Sequence, residues 1–148
     1  MKNIIYLILA ILFISCTKKE RNTNVKNQYQ QDILNHRFLS DVVLGSENDI
    51  LKINLWRDNR NHYFKSAGIS TSFLNDSFGS GNFAPCGNDY FIDVNGKFIL
   101  YDTNKITISA DSLTYSGEDK RPTAYKNGEE TDYSISKKGD TITLTKID

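Results

Sequence analysis

Cys86, His36 and His62 are side chains of this sequence whose types could pair for nucleophilic catalysis. A cysteine nucleophile needs an imidazole within hydrogen-bonding reach and an electropositive setting that lowers the thiol pKa. Ala84-Pro85-Cys86-Gly87 holds no nucleophile motif, and a lone thiol is among the groups most often buried. Cys86 therefore reads as structural, and a small hydrolase or transferase pairing Cys86 with His36 or His62 stands as the enzymatic alternative. The histidines have no cysteine or carboxylate at metal-ligand spacing, so no zinc site is expected. Gly79-Ser80-Gly81-Asn82-Phe83-Ala84 fits the letters of the dinucleotide fingerprint, but that mechanism needs a helix opening directly behind it. Pro85, Cys86 and Gly87 follow instead, and the reading fails. Asp93-Val94-Asn95-Gly96 is a fragment of a calcium loop without the distal Glu. Glu129-Glu130 reads as a solvated turn, not as the two carboxylates a glycosidase sets across a cleft. No cofactor is expected.

Binding is the chemistry that remains. Trp56 and Tyr63 are the first candidates, because such side chains offer a large rigid area with a polar handle. The turn Asp58-Asn59-Arg60-Asn61 would set Trp56 beside Tyr63 on one face of a strand pair and Leu55 beside Phe64 on the other. Phe73 and Phe78 lie in a Ser-, Gly- and Asn-rich stretch, Gly68 to Gly87, which reads as a compact loop or a lid over a site. Tyr90 and Ile92, with Ile106 and Ile108, are candidates to line an enclosed cavity.

These residues need a sheet to hold them. Asp89 to Asp102 reads as a hairpin about Asn95-Gly96, the strongest short-range turn signal, with Ile92 facing Ile99 and Phe91 facing Leu100. Both faces of that hairpin are apolar, which puts it at the centre of the domain. Strands are expected over Phe38 to Leu44, Ile50 to Trp56, His62 to Ala67 and Lys105 to Ala110, with Leu113 and Tyr115 beyond. Asn127-Gly128 marks a second hairpin. A last hairpin about Lys138-Gly139 would place Ile135 opposite Ile142 and Tyr133 opposite Leu144. Tyr29, Ile33 and His36 or Arg37 stand at helical spacing and suggest a helical turn or two across the end of the sheet. The expected fold is all-β, an antiparallel meander of about eight to ten strands closing into a small lipocalin-like barrel or a sandwich. The likeness to lipocalins is architectural, since their Gly-x-Trp signature is absent where Asn54-Leu55-Trp56 stands.

The first residues give an address. Lys2 is positive, Ile4 to Ile14 is an unbroken apolar run, and Ser15-Cys16 closes it. As a helix the run would rise about 16 Å against a hydrocarbon core of roughly 30 Å, so it reads as a secretory signal and not a span. The small residue and cysteine at its end resemble a bacterial lipoprotein signal, over Met1 to about Glu20. Phe13, in place of the usual Leu, and the Thr17-Lys18-Lys19-Glu20 flank are more similar to lipoproteins of Bacteroidota. The resemblance implies a palmitate-bearing lipid on Cys16, which becomes the first mature residue, and an anchor in the bacterial cell envelope at the outer membrane. An ordinary cleaved secretion signal or a short buried helix is the alternative. Asp111-Ser112-Leu113 also resembles the short O-glycosylation acceptor of that group.

The chain then divides into a signal over 1–15, a lipidated Cys16 with a polar tether over 16–36, and a single domain over 37–148. Lys plus Arg and Asp plus Glu balance at 18 each, and the signal removes only Lys2. No basic field for nucleic acid exists. With Cys16 taken by lipid, Cys86 has no disulfide partner, and the fold rests on packing. The expected function is a membrane-anchored, non-catalytic binding module for a small apolar ligand or an envelope protein, with a structural envelope-assembly role as a further alternative.

Overall fold

A computed structural model describes residues 21, 24–47, 49–58, 68–83, 91–117 and 121–147. Among them one helical turn, α1 (Gln30–Ile33), precedes eight strands. These are β1 (His36–Ser40), β2 (Lys52–Arg57), β3 (Gly68–Leu74), β4 (Ser77–Phe83), β5 (Phe91–Tyr101), β6 (Lys105–Ser116), β7 (Ala124–Lys138) and β8 (Thr141–Lys146). The sheet closes as a barrel in the order β1-β2-β8-β7-β6-β5-β4-β3, with every pairing antiparallel. The expected all-β barrel is what this chain forms, and closure removes the sandwich. From β3 to β8 it is a meander. β1 departs from that order by lying between β2 and β3, so Arg57 and Gly68, which bracket 58–67, stand at opposite ends of the barrel.

Asn95-Gly96 does not turn. β5 runs straight through it, with Ile92 facing Tyr115, Phe91 facing Ser116, Ile99 facing Thr107 and Leu100 facing Ile106. The reason is packing: a Cβ at Gly96 would strike Ser109 O and come to 2.7 Å from Phe78 Cε1 and 2.9 Å from Ala110 Cα. This glycine exists for close approach, as isolated strand glycines often do. The register shifts here because Asn95 faces Ser112 while Gly96 faces Ala110, leaving Asp111 as a bulge. Asn127-Gly128 does not reverse the chain either. Both residues have positive φ, 51° and 69°, yet they form a bulge inside β7 between Tyr125, facing Ser112, and Glu129, facing Ala110.

Two further expectations are corrected. Of the stretch read as a loop or lid, residues 68–83 form the β3–β4 hairpin about Asn75-Asp76, where Asn75 adopts φ 55°, and 84–87 lie outside the described residues. Its Ser and Gly content has poor strand propensity, but Thr71, Phe73, Phe78 and Ser80 alternate onto the inner face and burial decides. The last hairpin turns at Gly139-Asp140, pairing Ile135 with Leu144 and Lys137 with Ile142. That register is two residues from the expected one, and an even slip leaves every side chain on its predicted face.

Inner-facing apolar side chains from all eight strands form one core. Phe73 sits at its aromatic centre, edge-on to Phe98 at 5.0 Å and to Phe38 at 6.1 Å. Each end is stoppered. The turn α1, continuous with β1, buries Ile33 completely at one end. At the other, β1 stops at Ser40, short of the expected Leu44, and Val43-Leu44-Gly45 turns into the barrel. A Cβ at Gly45 would touch Phe78, Val94 and Ala110 there. A directed hydroxyl chain ties this plug to the wall. Leu44 N donates to Ser80 Oγ (2.9 Å), Ser80 Oγ meets Thr71 Oγ1 (2.7 Å), Thr71 Oγ1 meets Ser40 Oγ (3.2 Å), and Ser40 Oγ donates to Val42 O (2.7 Å). Each buried hydroxyl is thereby satisfied, as burial demands.

The residues before α1 lie along the outside as a strap. Asn27 is buried and donates through Nδ2 to Tyr101 O (3.2 Å) and Lys105 O (2.9 Å), while Gln28 N donates to Thr103 O (2.9 Å). Arg21 reaches Glu130 Oε2 at 2.6 Å and Asp132 Oδ1 at 3.5 Å on β7.

Candidate functional site

β2 turns Ile53 and Leu55 inward, so alternation turns Asn54 and Trp56 out. Trp56 is 41% exposed. Its cross-strand neighbours are Leu39 on β1 and Thr141 on β8, which fill both edges of β2 at this position. The other half of the expected Trp56–Tyr63 pair, Tyr63, lies outside the described residues. Below Trp56 on the same face, Asn54 is held fast: its N and Nδ2 donate to the two carboxylate oxygens of Asp41 (2.9 and 2.7 Å), and Thr143 Oγ1 donates to its Oδ1 (3.0 Å). The outer wall here is one large aromatic beside an ordered Asn–Asp–Thr cluster.

The other candidates separate. Phe73 and Phe78 are core side chains, 1% and 3% exposed, and neither is presented to a partner. Ile92 is half-buried against Tyr115. Ile106 and Ile108 are buried in the core cluster with Phe73 and Phe98. His36 opens β1, pairs with Phe73 across the strands and buries Nδ1, which has no hydrogen-bond partner among the described residues. Cys16, His62, Tyr63, Cys86 and Tyr90 lie outside the described residues. The strand ends that bracket Cys86, Phe83 and Phe91, belong to the barrel end opposite His36. Among the described residues no three His, Cys, Asp or Glu side chains group as metal ligands.

A groove of about 470 Å³ opens between the strap and the β3–β4 turn. Its floor is Phe98, Ile99 and Leu100 of β5; Val25 and Lys26 form one wall and Asn75 and Asp76 the other, with Leu34 and Gln30 at the end. No pattern in the sequence marks it, because it exists only where the strap lies on the barrel.

Electrostatics concentrate where Arg21 docks. The hydrogen bond to Glu130 raises the guanidinium pKa most, and the charges of Glu130 and Asp132 add to it. Arg21 lies 5.8 Å from the Tyr101 ring centroid and Lys105 Nζ 5.7 Å from it. Burial first, and then the charge of Asp132, push the Tyr101 phenol up. A hydrogen bond toward Asp132 adds to the rise, while Arg21 Nε is buried with no hydrogen-bond partner among the described residues. Asp132 also accepts from Thr107 Oγ1 at 2.6 Å. Elsewhere, burial over Gly81 raises the Asp93 carboxyl, and burial pushes the Tyr133 phenol up to about 12.

The fold defines a small closed antiparallel β-barrel whose described inward-facing apolar side chains form one buried core. Comparison of the chain with protein families, with curated proteins and with solved structures finds no match.

Proposed function

We propose that this chain is a membrane-anchored, non-catalytic binding module of the bacterial envelope. A lipid on Cys16 holds it at the outer membrane, and it takes a protein partner on the outside of its barrel. The observation that carries the binding role is a packed interior combined with a large aromatic left 41% exposed on the wall. A barrel that carries a small apolar ligand leaves room among its inner side chains; the partner reading is supported by the buried apolar core that the described inward-facing residues form, with Ile33 and Leu44 fully buried. Trp56, beside the fixed Asn54–Asp41–Thr143 cluster, has the rigid area and low ordering cost that binding hot spots use.

Two experiments test this reading. Feeding cells an azide-bearing palmitate should label the wild-type protein and not Cys16→Ser; equal labelling of both removes the anchor. A photo-crosslinker in place of Trp56 should capture a protein that the same group at Lys138 does not. Native mass spectrometry showing one small molecule of constant mass in the purified protein would return the function to an interior ligand.

A further inference from the structure

We infer that the wall around Trp56 reads a neutral sugar, a pyranose displayed by the protein partner. This deepens the Trp56 reading by naming what the partner presents there, and it rests on that surface.

Strand alternation decides which side chains share the wall. Trp56 and Asn54 turn out from β2, Thr141 and Thr143 from β8, and Ser136 from β7. The register lays them in rows, Trp56 beside Thr141, then Asn54 beside Thr143 beside Ser136. These rows hold an indole, an amide and hydroxyls, and no charge. Lys52 and Lys138 stand at the margins. The carboxylate that touches the rows, Asp41, accepts from Asn54 at both oxygens. Such a wall gives a charged group nothing to replace the hydration it would lose on docking, so it suits a neutral occupant.

Asn54 sets the polar contact. A side-chain amide has two N–H donors and two acceptor lone pairs. Nδ2 gives one N–H to Asp41 Oδ2, and Oδ1 accepts from Thr143 Oγ1. A donor and an acceptor are left side by side, already fixed in direction, so little ordering cost remains on binding. A vicinal diol is their complement, because each of its hydroxyls both donates and accepts. Trp56 stands two residues along the strand, about 7 Å away, a span that one pyranose and its hydroxyls bridge. The C–H bonds on a pyranose face carry partial positive charge and suit the negative face of an indole. No protein side chain joins such a face to adjacent hydroxyls, which favours a sugar over bare peptide here.

The test uses the full-length, isotope-labelled chain in a detergent without a sugar headgroup. Trp56 is the single tryptophan, so its emission reports this wall. The probes are the methyl pyranosides of glucose, galactose and mannose, which between them present vicinal diols of both geometries. At least one should shift the Trp56 emission saturably and move the Asn54 side-chain amide resonances, and its uronate counterpart should bind more weakly. Asn54→Ala should weaken binding roughly tenfold, through loss of one donor and one acceptor. Trp56→Phe should retain binding and Trp56→Ala abolish it, both read at the Asn54 amide; these substitutions lie on the outer wall and leave the core side chains in place. The inference is overturned if no methyl pyranoside perturbs Trp56 or Asn54, if Trp56→Ala binds as wild type does, or if a sugar and its uronate bind equally. A protein captured at Trp56 with no sugar response would overturn this inference alone. Sugar binding with no captured protein would overturn the partner reading and leave the sugar site standing.

Discussion

Replacing Gly96 by alanine would press a methyl group onto Ser109 O and to within 2.7 Å of the Phe78 ring. Two of the three obstacles are backbone atoms, which cannot swing aside, so the expected cost is about 3 kcal/mol. Denaturant titration would show it; a loss under about 0.5 kcal/mol would mean that the strands separate easily there. Two titrating residues give further tests. Burial raises the Asp93 carboxyl, so the folded state holds that proton more tightly than the unfolded chain does. Its contribution is favourable below the ordinary Asp value of 3.8 and is lost as pH rises through the raised folded value. Asp93→Asn should therefore be more stable than wild type at pH 7, by about 0.5 kcal/mol or less after solvent screening, and the difference should vanish in acid. A gap unchanged between pH 7 and pH 3 would remove the desolvation account. Tyr133 is the alkaline counterpart. Stability is intact below its ordinary value of 10 and is lost as pH approaches about 12, so absorbance titration should find one phenol that ionises only as the barrel opens. At this scale the sequence was legible where alternation governs, as at Trp56. It misled at Asn95-Gly96 and Asn127-Gly128, because a turn-prone pair also suits a bulge, and only the neighbouring strand distinguishes them.

The β3–β4 hairpin joins those residues into an element. Ser80 and Thr71 are the middle links of the hydroxyl chain that holds the plug. Ser80→Ala would strand the buried Leu44 amide, at a cost of about 1–3 kcal/mol. Native-state hydrogen exchange should then speed up at Leu44 while Ile142, on the far wall, keeps its protection relative to global stability. Uniform acceleration across the barrel would mean that the plug is not a separate unit. Ser80 also explains why this hairpin was hidden from the sequence. Ser, Thr and Gly are weak strand formers, and the hydroxyls that mark a loop by composition here point inward to bond one another. The one-turn helix before β1 was visible because Ile33 and Tyr29 sit at helical spacing, and Ile33 is fully buried.

For the whole molecule, the insertion of β1 between β2 and β3 matters most. Closing this barrel joins β2 near the start of the domain to β8 at its end, a contact of long sequence separation that slows folding. Trp56, the single tryptophan, lies in the closing strand and should report that step. Its refolding signal should appear in milliseconds to seconds, and a microsecond signal would place closure before the meander. That arrangement was beyond the sequence: hairpins are local and can be read, whereas the choice of a third neighbour is settled by the whole sheet. The docking of Arg21 likewise left no trace in a stretch that is polar except for Val25. On the proposed anchor at Cys16, that ion pair acts as a mooring point. Only Thr17 to Glu20 would separate the lipid from the barrel wall, a reach of about 16–18 Å, where the stretch from Thr17 to Asn27 hanging free would allow about 36–40 Å. The volume swept by a body on a line scales with the cube of its length, so releasing Arg21 from Glu130 and Asp132 would dilute the barrel roughly tenfold with respect to anything fixed in the same membrane. Two carboxylates on β7 would then set how often this protein meets its neighbours.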